Sequence, residues 1–404
     1  MNDSDPPKLK RQGMRLSVCT CFAMFFSAVS ATLADSPKLV GEAVLSEMHS
    51  EFYGIPWILR MSPDGELLLS WRSTALKQVA SSQPSTAADS RPKYGYQVFL
   101  HEWKTGKDTV VPIPLLSKAL QSSTREWYMN PFSADGRLLV VQAGIDEDRD
   151  GMVGKEEKVE PAVYDIESGE VRRISVRGDV IYAMFDTTGK HLIFTVMSEQ
   201  ARTYVAPIET LQPKALTSWG IPMAPRPGAP TCVFGLIAPS DGGASMKLVL
   251  YDYVRDARTV GQPFPDWTAS PLQSPDICVL QWTANGRYLY LTDWKKPTTT
   301  YVWDVQEGKQ VARLPECLAI GPCGGPTTMV LSRWWLEKRS RAVLHDARTN
   351  SQEPLSGSTA IHPISTAGKY LLYDRKDERG SHVVCRAEIK VGQPAGRPRN
   401  GPSH

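Results

Sequence analysis

The sequence predicts an all-β fold, a β-propeller of about seven four-stranded blades. Two observations lead to this prediction. From about residue 40 onward a unit of about 40 to 60 residues recurs. Each unit joins short runs rich in Val, Leu, Tyr and Trp through tight turns, without the periodicity of an amphipathic helix. A small twisted sheet cannot bury both faces alone, so the units must stack, and radial stacking leaves only short exposed edges.

The first half of each unit is a hairpin with glycine in its turn. SPDGELLLSW turns at Asp64-Gly65, SADGRLLVVQ at Asp135-Gly136 and TANGRYLYLT at Asn285-Gly286. Asp-Gly and Asn-Gly favour such turns because both residues accept a positive φ. The less regular members of the series turn at Gly189, Gly228, Gly324-Gly325 and Gly368. These turns predict one blade each.

The second half of each unit is a strand that often ends in an acid, followed by a turn and another strand. The shared acids are Glu102, Asp165, Asp252, Asp304 and Asp346. The third unit, TYVAPIETLQPKAL, keeps the strand but lacks the acid. Two hairpins per unit give a four-stranded sheet.

The two ends of the repeat region predict how the ring closes. The last unit supplies only three clear strands, TAIHPI, KYLLYD and HVVCRAEIKV. The run VGEAVLSEMH near residue 45 precedes the first full unit and is available as the fourth strand. We therefore expect the first strand to complete the last blade. A sandwich or a solenoid is the structural alternative.

Residues 1–34 differ in composition from the rest of the chain. A basic front is followed by an uncharged run, Leu16 to Ala34, that closes on small residues before Asp35. This is the layout of a secretory signal peptide, and its removal would leave a periplasmic or secreted protein without stable membrane insertion. The alternative is an uncleaved anchor, because the uncharged run is nearly long enough to span a bilayer.

The charge balance argues against a nucleic-acid partner. The net charge is only +3, and the basic residues form no dominant run. We expect a monomer that binds a protein, a peptide or a glycan.

The turn-plus-strand units resemble the WD40-like repeats of bacterial TolB-type propellers. Trp303-Asp304 in YVWDVQEGK is also similar to the Trp-Asp end of a WD40 blade, although the Gly-His pair of that family is absent. The resemblance covers roughly residues 40 to 390. It implies a propeller fold and leaves the activity open, since propellers host many unrelated functions.

IDEDRDGMVGKEEKVE is the most specific stretch of the chain. Asp146, Asp148 and Asp150 stand at positions 1, 3 and 5 of an EF-hand loop pattern, and Glu157 stands at position 12. Calcium prefers six to eight oxygen ligands, which this spacing supplies together with the backbone carbonyl of Met152. The sequence therefore predicts a calcium site with these five ligands.

The segments flanking this loop, RLLVVQAG and PAVYDIESG, are strand-like rather than helical. We place the loop inside the second blade, where calcium would act as a structural staple between two strands. TolB-like propellers of exported bacterial proteins often carry a similar Asp-rich calcium loop. The resemblance therefore also implies a calcium loop here. The alternative interpretation is a solvated acidic turn without an ion.

The domain organisation follows from these assignments. We expect a signal peptide at residues 1–34, the propeller at 40–391, a flexible Ser/Ala/Pro-rich insertion at 76–94, the calcium loop at 146–157 and a disordered tail at 392–404. Cys317 and Cys323 are close enough in sequence to form a disulfide across a loop. The alternative is that both are small buried apolar residues.

The sequence contains no recognisable catalytic motif. It has no G-x-S-x-G elbow, no phosphate-binding glycine loop and no H-E-x-x-H. His101 and His345 occupy equivalent strand ends of two units, which the repeat itself explains. Of the many tryptophans, adjacent Trp334 and Trp335 are the best candidates for an exposed binding role, because neighbouring strand residues face opposite sides.

Three functions fit these observations. We favour a non-catalytic binding scaffold. The runner-up is a hydrolase or lyase with its active site at the central channel, and the third reading is a purely structural module of an envelope assembly.

Overall fold

The computed structural model describes most of the repeat region. The described residues are 37–45, 59–75, 94–113, 115–116, 131–147, 152–153, 157, 159–176, 179–197, 202–216, 221–240, 243–258, 279–293, 298–333, 341–355, 361–380 and 382–391. They are all-β, and the strands belong to a single unit that spans Asp35–Gly392. No helix in this part of the chain is long and apolar enough to cross a membrane. The predicted signal peptide and tail lie outside the described residues.

The strands form seven blades, which confirms the predicted propeller. Blade 1 contains β2 (Arg60–Met61), β3 (Leu67–Ala75), β4 (Tyr94–Glu102) and β5 (Lys107–Val110), with β6 (Leu115–Leu116) and β8 (Met152–Val153) added. Blade 2 contains β7 (Leu138–Gly144), β9 (Val159–Asp165) and β10 (Val171–Arg173). Among the described residues, its innermost position is held by a bridge between Phe132 and Leu139.

Blades 3 to 6 each use four consecutive strands. Blade 3 contains β11 (Asp179–Phe185), β12 (His191–Met197), β13 (Arg202–Pro207) and β14 (Lys214–Ala215). Blade 4 contains β15 (Ile221–Pro225), β16 (Thr231–Ser240), β17 (Gly243–Asp252) and β18 (Ala257–Arg258). Blade 5 contains β19 (Val279–Trp282), β20 (Tyr288–Asp293), β21 (Thr299–Asp304) and β22 (Lys309–Pro315). Blade 6 contains β23 (Cys317–Pro322), β24 (Thr328–Arg333), β25 (Arg341–Asp346) and β26 (Ser351–Pro354).

Blade 7 closes the ring as predicted. It contains β27 (His362–Ala367), β28 (Tyr370–Lys376) and β29 (His382–Lys390), and its outer strand is β1 (Lys38–Leu45) from the start of the repeat region. The Glu42 carboxylate on β1 accepts hydrogen bonds from Tyr373 and Arg375 on β28. The first and last strands are thus joined by main-chain and side-chain bonds.

The apolar core is divided among the gaps between blades. Each of the seven clusters of buried side chains is shared by two neighbouring blades, including the gap between blade 7 and blade 1. The blade 7–1 gap also holds Arg386, whose guanidinium lies between the rings of Trp103 and Tyr370. Burial between blades explains why the repeats need one another to fold.

The inner turn, which joins the first and second strands of a blade, explains the recurring glycine. In blade 1 the Ser62 hydroxyl donates to Asp64 and accepts the amide hydrogen of Leu67, while Asp64 accepts that of Glu66. Gly65 takes a φ of +75°. The turns at Ser133 and Thr283 repeat these bonds.

The outer turn, which joins the third and fourth strands, explains the recurring acid. The side chains of Asp165, Asp252, Asp304 and Asp346 accept backbone hydrogen bonds from the residues two or three positions later. Four positions after this site, which holds an acid in five of the blades and Pro207 in blade 3, the backbone is left-handed in six blades. These residues are Gly106, Gly169, Leu211, Asp256, Gly308 and Asn350.

The turns define two unlike faces of the propeller. Inner and outer turns lie on one face, which we call the turn face. The connections between second and third strands lie on the other, the hairpin face. The predicted insertion joins β3 to β4 at the hairpin face, and residues 76–93 lie outside the described part of the chain. The predicted calcium loop joins β7 to β9 at the same face.

Candidate binding channel

The first strands of the seven blades surround a central channel of about 820 Å³. Its lining includes Met61 of blade 1, Phe132 of blade 2, Met184 of blade 3, Met223 of blade 4, Leu280 of blade 5, Ile320 of blade 6 and Ile364 of blade 7. A volume of this size lies within the usual range for ligand-binding cavities, about 300–1,000 Å³.

Five inner turns build a collar of small residues at the turn-face mouth of this channel. Each collar residue follows the first polar position of its turn. They are Pro63, Ala134, Thr187, Pro227 and Ala284. The sequence analysis did not single these residues out, although their fixed place in the repeat would have identified them.

Hydrogen bonds tie neighbouring inner turns together. Thr187 Oγ1 donates to the Arg226 carbonyl at 2.8 Å, and Arg226 Nε donates to the Gly286 carbonyl at 2.8 Å. The backbone amide of Asn285 then donates to the Pro326 carbonyl. The mouth is therefore braced from blade 3 to blade 6.

The wall of the channel is mostly apolar. Met61, Met184 and Met223 lie on three blades, and methionine adapts its shape easily to apolar ligands. The first strands of blades 3, 4, 6 and 7 each contain a register shift, as occurs where a strand changes the direction of its side chains.

The polar groups of the lining come from four blades and are Arg60, Asp186, Thr187, Gln281, His362, Ser365, Thr366 and Asp374. His362 and Asp374 are direct cross-strand partners on β27 and β28. An apolar wall with a few polar groups is typical of a binding site in which the polar groups orient the ligand.

Asp186 is the most highly coordinated acid of the lining. It is 2% exposed, and its Oδ2 accepts hydrogen bonds from Thr188 at 2.6 Å, His191 at 3.0 Å and Tyr253 of blade 4 at 2.8 Å. Burial raises the pKa of Asp186, but the hydrogen bonds outweigh burial and hold the pKa below its ordinary value. These contacts join blade 3 to blade 4, so we assign Asp186 a structural role.

Three of the five predicted calcium ligands are described. Asp146 lies just after β7, Met152 lies in β8, and Glu157 lies just before β9. Asp148 and Asp150 lie outside the described residues. Glu157 Oε1 accepts the backbone amide hydrogen of Glu147 at 2.6 Å, so the two ends of the loop meet. Within the described part, no three His, Cys, Asp or Glu side chains gather around one point.

The loop is also joined to blade 1. Met152 and Val153 pair in parallel with Leu115 and Leu116, and Val153 is fully buried in the core between blades 1 and 2. The sequence analysis placed the loop inside the second blade and did not foresee this pairing.

The other candidate residues from the sequence have structural roles where they are described. Cys317 and Cys323 are free and buried, which agrees with their apolar interpretation. Burial raises the pKa of Cys323 to about 12, so its thiol is unreactive. The buried His345 accepts from Tyr290 through Nδ1 and donates to Asn350 Oδ1 through Nε2. Trp334 and Trp335 lie outside the described residues.

Comparison with known proteins gives structural likeness only. No family model and no curated protein matches the sequence. The β-propeller domain of the trilobed protease from Pyrococcus furiosus, described as having an open velcro topology, aligns over 92% of this chain and 100% of its own, with 9% identity and a TM-score of 0.50.

Two bacterial structures align less closely. TolB from Acinetobacter baumannii shares 10% identity over 81% of this chain and 82% of its own, with a TM-score of 0.38. Oligogalacturonate lyase from Vibrio parahaemolyticus shares 12% identity over 80% of this chain and 97% of its own, with a TM-score of 0.39. At such identities a likeness shows the fold alone, and the seven-bladed β-propeller rests on the blades described above and on the Pyrococcus furiosus domain.

Proposed function

We propose that this protein is an exported, non-catalytic propeller, periplasmic or secreted, that binds a protein, peptide or glycan ligand at its central channel. The channel itself carries this proposal. It is large, its wall is apolar, and its mouth is braced by hydrogen bonds between blades. A preformed, rigid mouth lowers the entropic cost of binding.

A substitution that narrows the mouth tests this function. Ala284 is an exposed collar residue, so Ala284→Trp would obstruct the channel while leaving the core intact. Val254→Trp is the matched control, because Val254 is 52% exposed in the outer turn of blade 4 and outside the channel lining. A ligand retained by the wild type and by Val254→Trp but lost by Ala284→Trp supports the proposal. A ligand retained by all three proteins contradicts it.

We further propose that calcium staples the loop from Asp146 to Glu157. The meeting of Glu157 with the backbone of Glu147 supports this, because a bidentate glutamate must return to the start of the loop to close the coordination sphere. Calorimetric titration with calcium chloride and thermal melting of the purified protein test it. Binding that raises the melting temperature and disappears in Asp148→Ala supports the staple, and an absence of binding removes it.

A hydrolase or lyase at the channel is the second candidate. The neighbouring His362 and Asp374 favour it, because a carboxylate beside a histidine is a common general-base arrangement. A His362→Asn variant that loses an activity shown by the wild type would establish this function instead of the scaffold.

A further inference from the structure

Arg226 is a cation at the turn-face mouth of the channel. It holds the first position of the blade 4 inner turn, between the lining residues Pro225 and Pro227. Its backbone amide donates to the Thr231 carbonyl, and its own carbonyl accepts from Thr187. The backbone of Arg226 is therefore fixed within the braced mouth, whose inner turns all belong to the described part of the chain.

The side chain of Arg226 is held across the gap between blades 4 and 5. Nε donates to the Gly286 carbonyl at 2.8 Å, and the guanidinium carbon lies 5.6 Å from the centroid of the Trp282 ring, which lines the channel. The Cγ atom would lie 3.3 Å from a Cβ added at Gly286. The guanidinium is thus placed beside the inner turn that carries the collar residue Ala284.

Arg226 differs from the other cations of the inner turns in having no acidic partner. The cations that follow the turn glycine in blades 2, 5 and 7 each pair with an acid of their own blade. The pairs are Arg137–Glu167, Arg287–Asp304 and Lys369–Glu388. No acid pairs with Arg226 in the described part of the chain, and burial lowers the pKa of its guanidinium. Lys190 of blade 3 has no acid there either, but its side chain is exposed.

The Nη1 and Nη2 atoms of Arg226 remain available to a ligand. Nε is used by the Gly286 carbonyl, whereas the four N–H groups of Nη1 and Nη2 make no hydrogen bond to the described residues. Two nitrogens side by side are the arrangement with which arginine binds both oxygens of a carboxylate. A half-buried cation without an acid also favours an anion more strongly than an exposed cation does.

The channel wall indicates what this carboxylate is attached to. The collar residues are uncharged, and the wall behind them includes Met223, Leu280 and Ile320. A sugar would bring many hydroxyl groups against this apolar wall, and each hydroxyl that loses water without gaining a hydrogen bond opposes binding. Apolar peptide side chains have no such cost.

We propose that the channel ligand is a peptide segment with an apolar body inside the mouth and a carboxylate that pairs with Nη1 and Nη2 of Arg226. This inference rests on the proposed function, because it takes the channel as the binding site. It narrows the ligand to a carboxylate-bearing polypeptide and makes Arg226 the residue that selects it by charge.

Two probes that differ only in their terminal group test the pairing. They are N-acetyl-leucyl-leucine, which ends in a carboxylate, and N-acetyl-leucyl-leucinamide, which is neutral. Calorimetric titration of the full chain should give a dissociation constant about tenfold lower for the acid, because a charge-assisted pair is stronger than a neutral hydrogen bond. Equal binding of the two probes, or no binding of the acid, would overturn the proposal.

Removal of the cation assigns the preference to Arg226. In Arg226→Gln the acid should bind about tenfold more weakly, and the amide should bind as it does to the wild type. Lys190→Gln is the matched control, because it removes the same charge from the neighbouring inner turn and should keep the preference for the acid. A preference that survives Arg226→Gln, or that Lys190→Gln abolishes equally, would indicate a general electrostatic effect and overturn the pairing.

A second variant serves if Arg226→Gln lowers the melting temperature. Arg226→Lys keeps the charge but places it on a single nitrogen, so the preference for the acid should fall. An undiminished preference in Arg226→Lys would overturn the pairing through two nitrogens.

Glucuronate tests the apolar body, because it carries a carboxylate on a polar ring. It should bind at least about tenfold more weakly than N-acetyl-leucyl-leucine, since its hydroxyl groups lose water against the wall. Glucuronate binding as tight as that of the peptide would overturn the choice of a peptide over a sugar.

Ala284→Trp separates this inference from the channel proposal. If the acid and the amide bind the wild type equally and Ala284→Trp blocks both, the pairing with Arg226 is overturned and the channel proposal stands. If binding of the acid depends on Arg226 but survives Ala284→Trp, the contact with Arg226 is supported and the channel proposal is contradicted.

Discussion

Blades 3 and 5 each bury one aspartate in a turn, but the two acids serve different joints. Asp304 lies in the outer turn of blade 5, where it binds Arg287 of the same blade through Nε and Nη2. Asp186 lies in the inner turn of blade 3 and binds Tyr253 of blade 4. Blade 3 lacks the outer-turn acid altogether, having Pro207 in its place. The comparison shows that the buried carboxylate of a repeat can lie in the outer turn, where it binds within its own blade, or in the inner turn, where it binds the next blade.

The order of two residues in the inner turn produces this difference. Blade 5 has Thr283 followed by Asn285, and the hydroxyl caps the turn. Blade 3 has Asp186 followed by Thr188. Oδ1 of Asp186 does the capping, accepting from the backbone amides of Lys190 and His191, so Oδ2 is available to reach blade 4. A carboxylate has the second acceptor atom that a hydroxyl lacks.

Removing each acid should give the largest effect. We expect Asp186→Ala to lower the free energy of unfolding by about 3 to 5 kcal/mol, because it leaves buried donors without an acceptor. Asp304→Ala should cost about 2 kcal/mol, because Arg287 is partly exposed and can be hydrated. Urea denaturation followed by tryptophan fluorescence measures both. An equal loss of unfolding free energy in the two variants would show that the bonds of Asp186 between blades contribute no more to stability than the bonds of Asp304 within its blade.

Lowering the pH should narrow the difference in melting temperature between the wild type and Asp186→Asn. The folded-state pKa of Asp186 is lowered, so its carboxylate contributes stability above the unfolded-state pKa, near 4. This contribution is lost as the pH falls through the folded-state value. Melting curves should therefore differ most at neutral pH and converge once the pH falls below the lowered folded-state pKa of Asp186. A constant difference at every pH would contradict ionisation of Asp186.

The tyrosine partner should have an intermediate effect. Tyr253→Phe removes the donor that joins blade 4 to Asp186, at an expected cost of about 1 to 2 kcal/mol. Tyr251→Phe is the matched control, since its hydroxyl donates to Asp256 in its own turn. The control should lose about half as much, by the same denaturation measurement.

The outer turns should give the smallest effect. Gly308 of blade 5 has a φ of +63°, and a Cβ there would meet no atom within 4 Å. Gly308→Ala should therefore cost about 1 kcal/mol from backbone strain alone. Gly308→Asn should cost less, because Asn350 holds the equivalent left-handed position in blade 6. A larger loss for asparagine than for alanine would show that side-chain contacts decide this turn.

Local patterns made the fold predictable. Asp64-Gly65 and Asn285-Gly286 identify the inner turns, and Asp304 and its equivalents identify the outer ones, because each signal lies within six residues of what it stabilises. The strand before the first full unit was also predicted to be the fourth strand of the last blade, and the pairing of β1 with β29 confirms this.

Long-range contacts were not predictable from these patterns. The Tyr253–Asp186 bond joins residues far apart in sequence, and the β6–β8 pair runs parallel over the two residues of each strand that the structure describes. The channel lining is assembled from all seven blades, so no single segment of the sequence predicts it. The calcium site stays a prediction, because the spacing of its acids specifies ligands without showing an ion.

The pairing of β1 with β29 has a consequence for the order in which the protein is made. Strand β1 leaves the ribosome first and its partner leaves last, so the final blade cannot form until translation has passed Lys390. Ring closure is therefore a contact of very high sequence separation and a late, slow step of folding. A nascent chain that stalls before residue 382 keeps two open strand edges, β1 and β28, which mark it for aggregation or degradation.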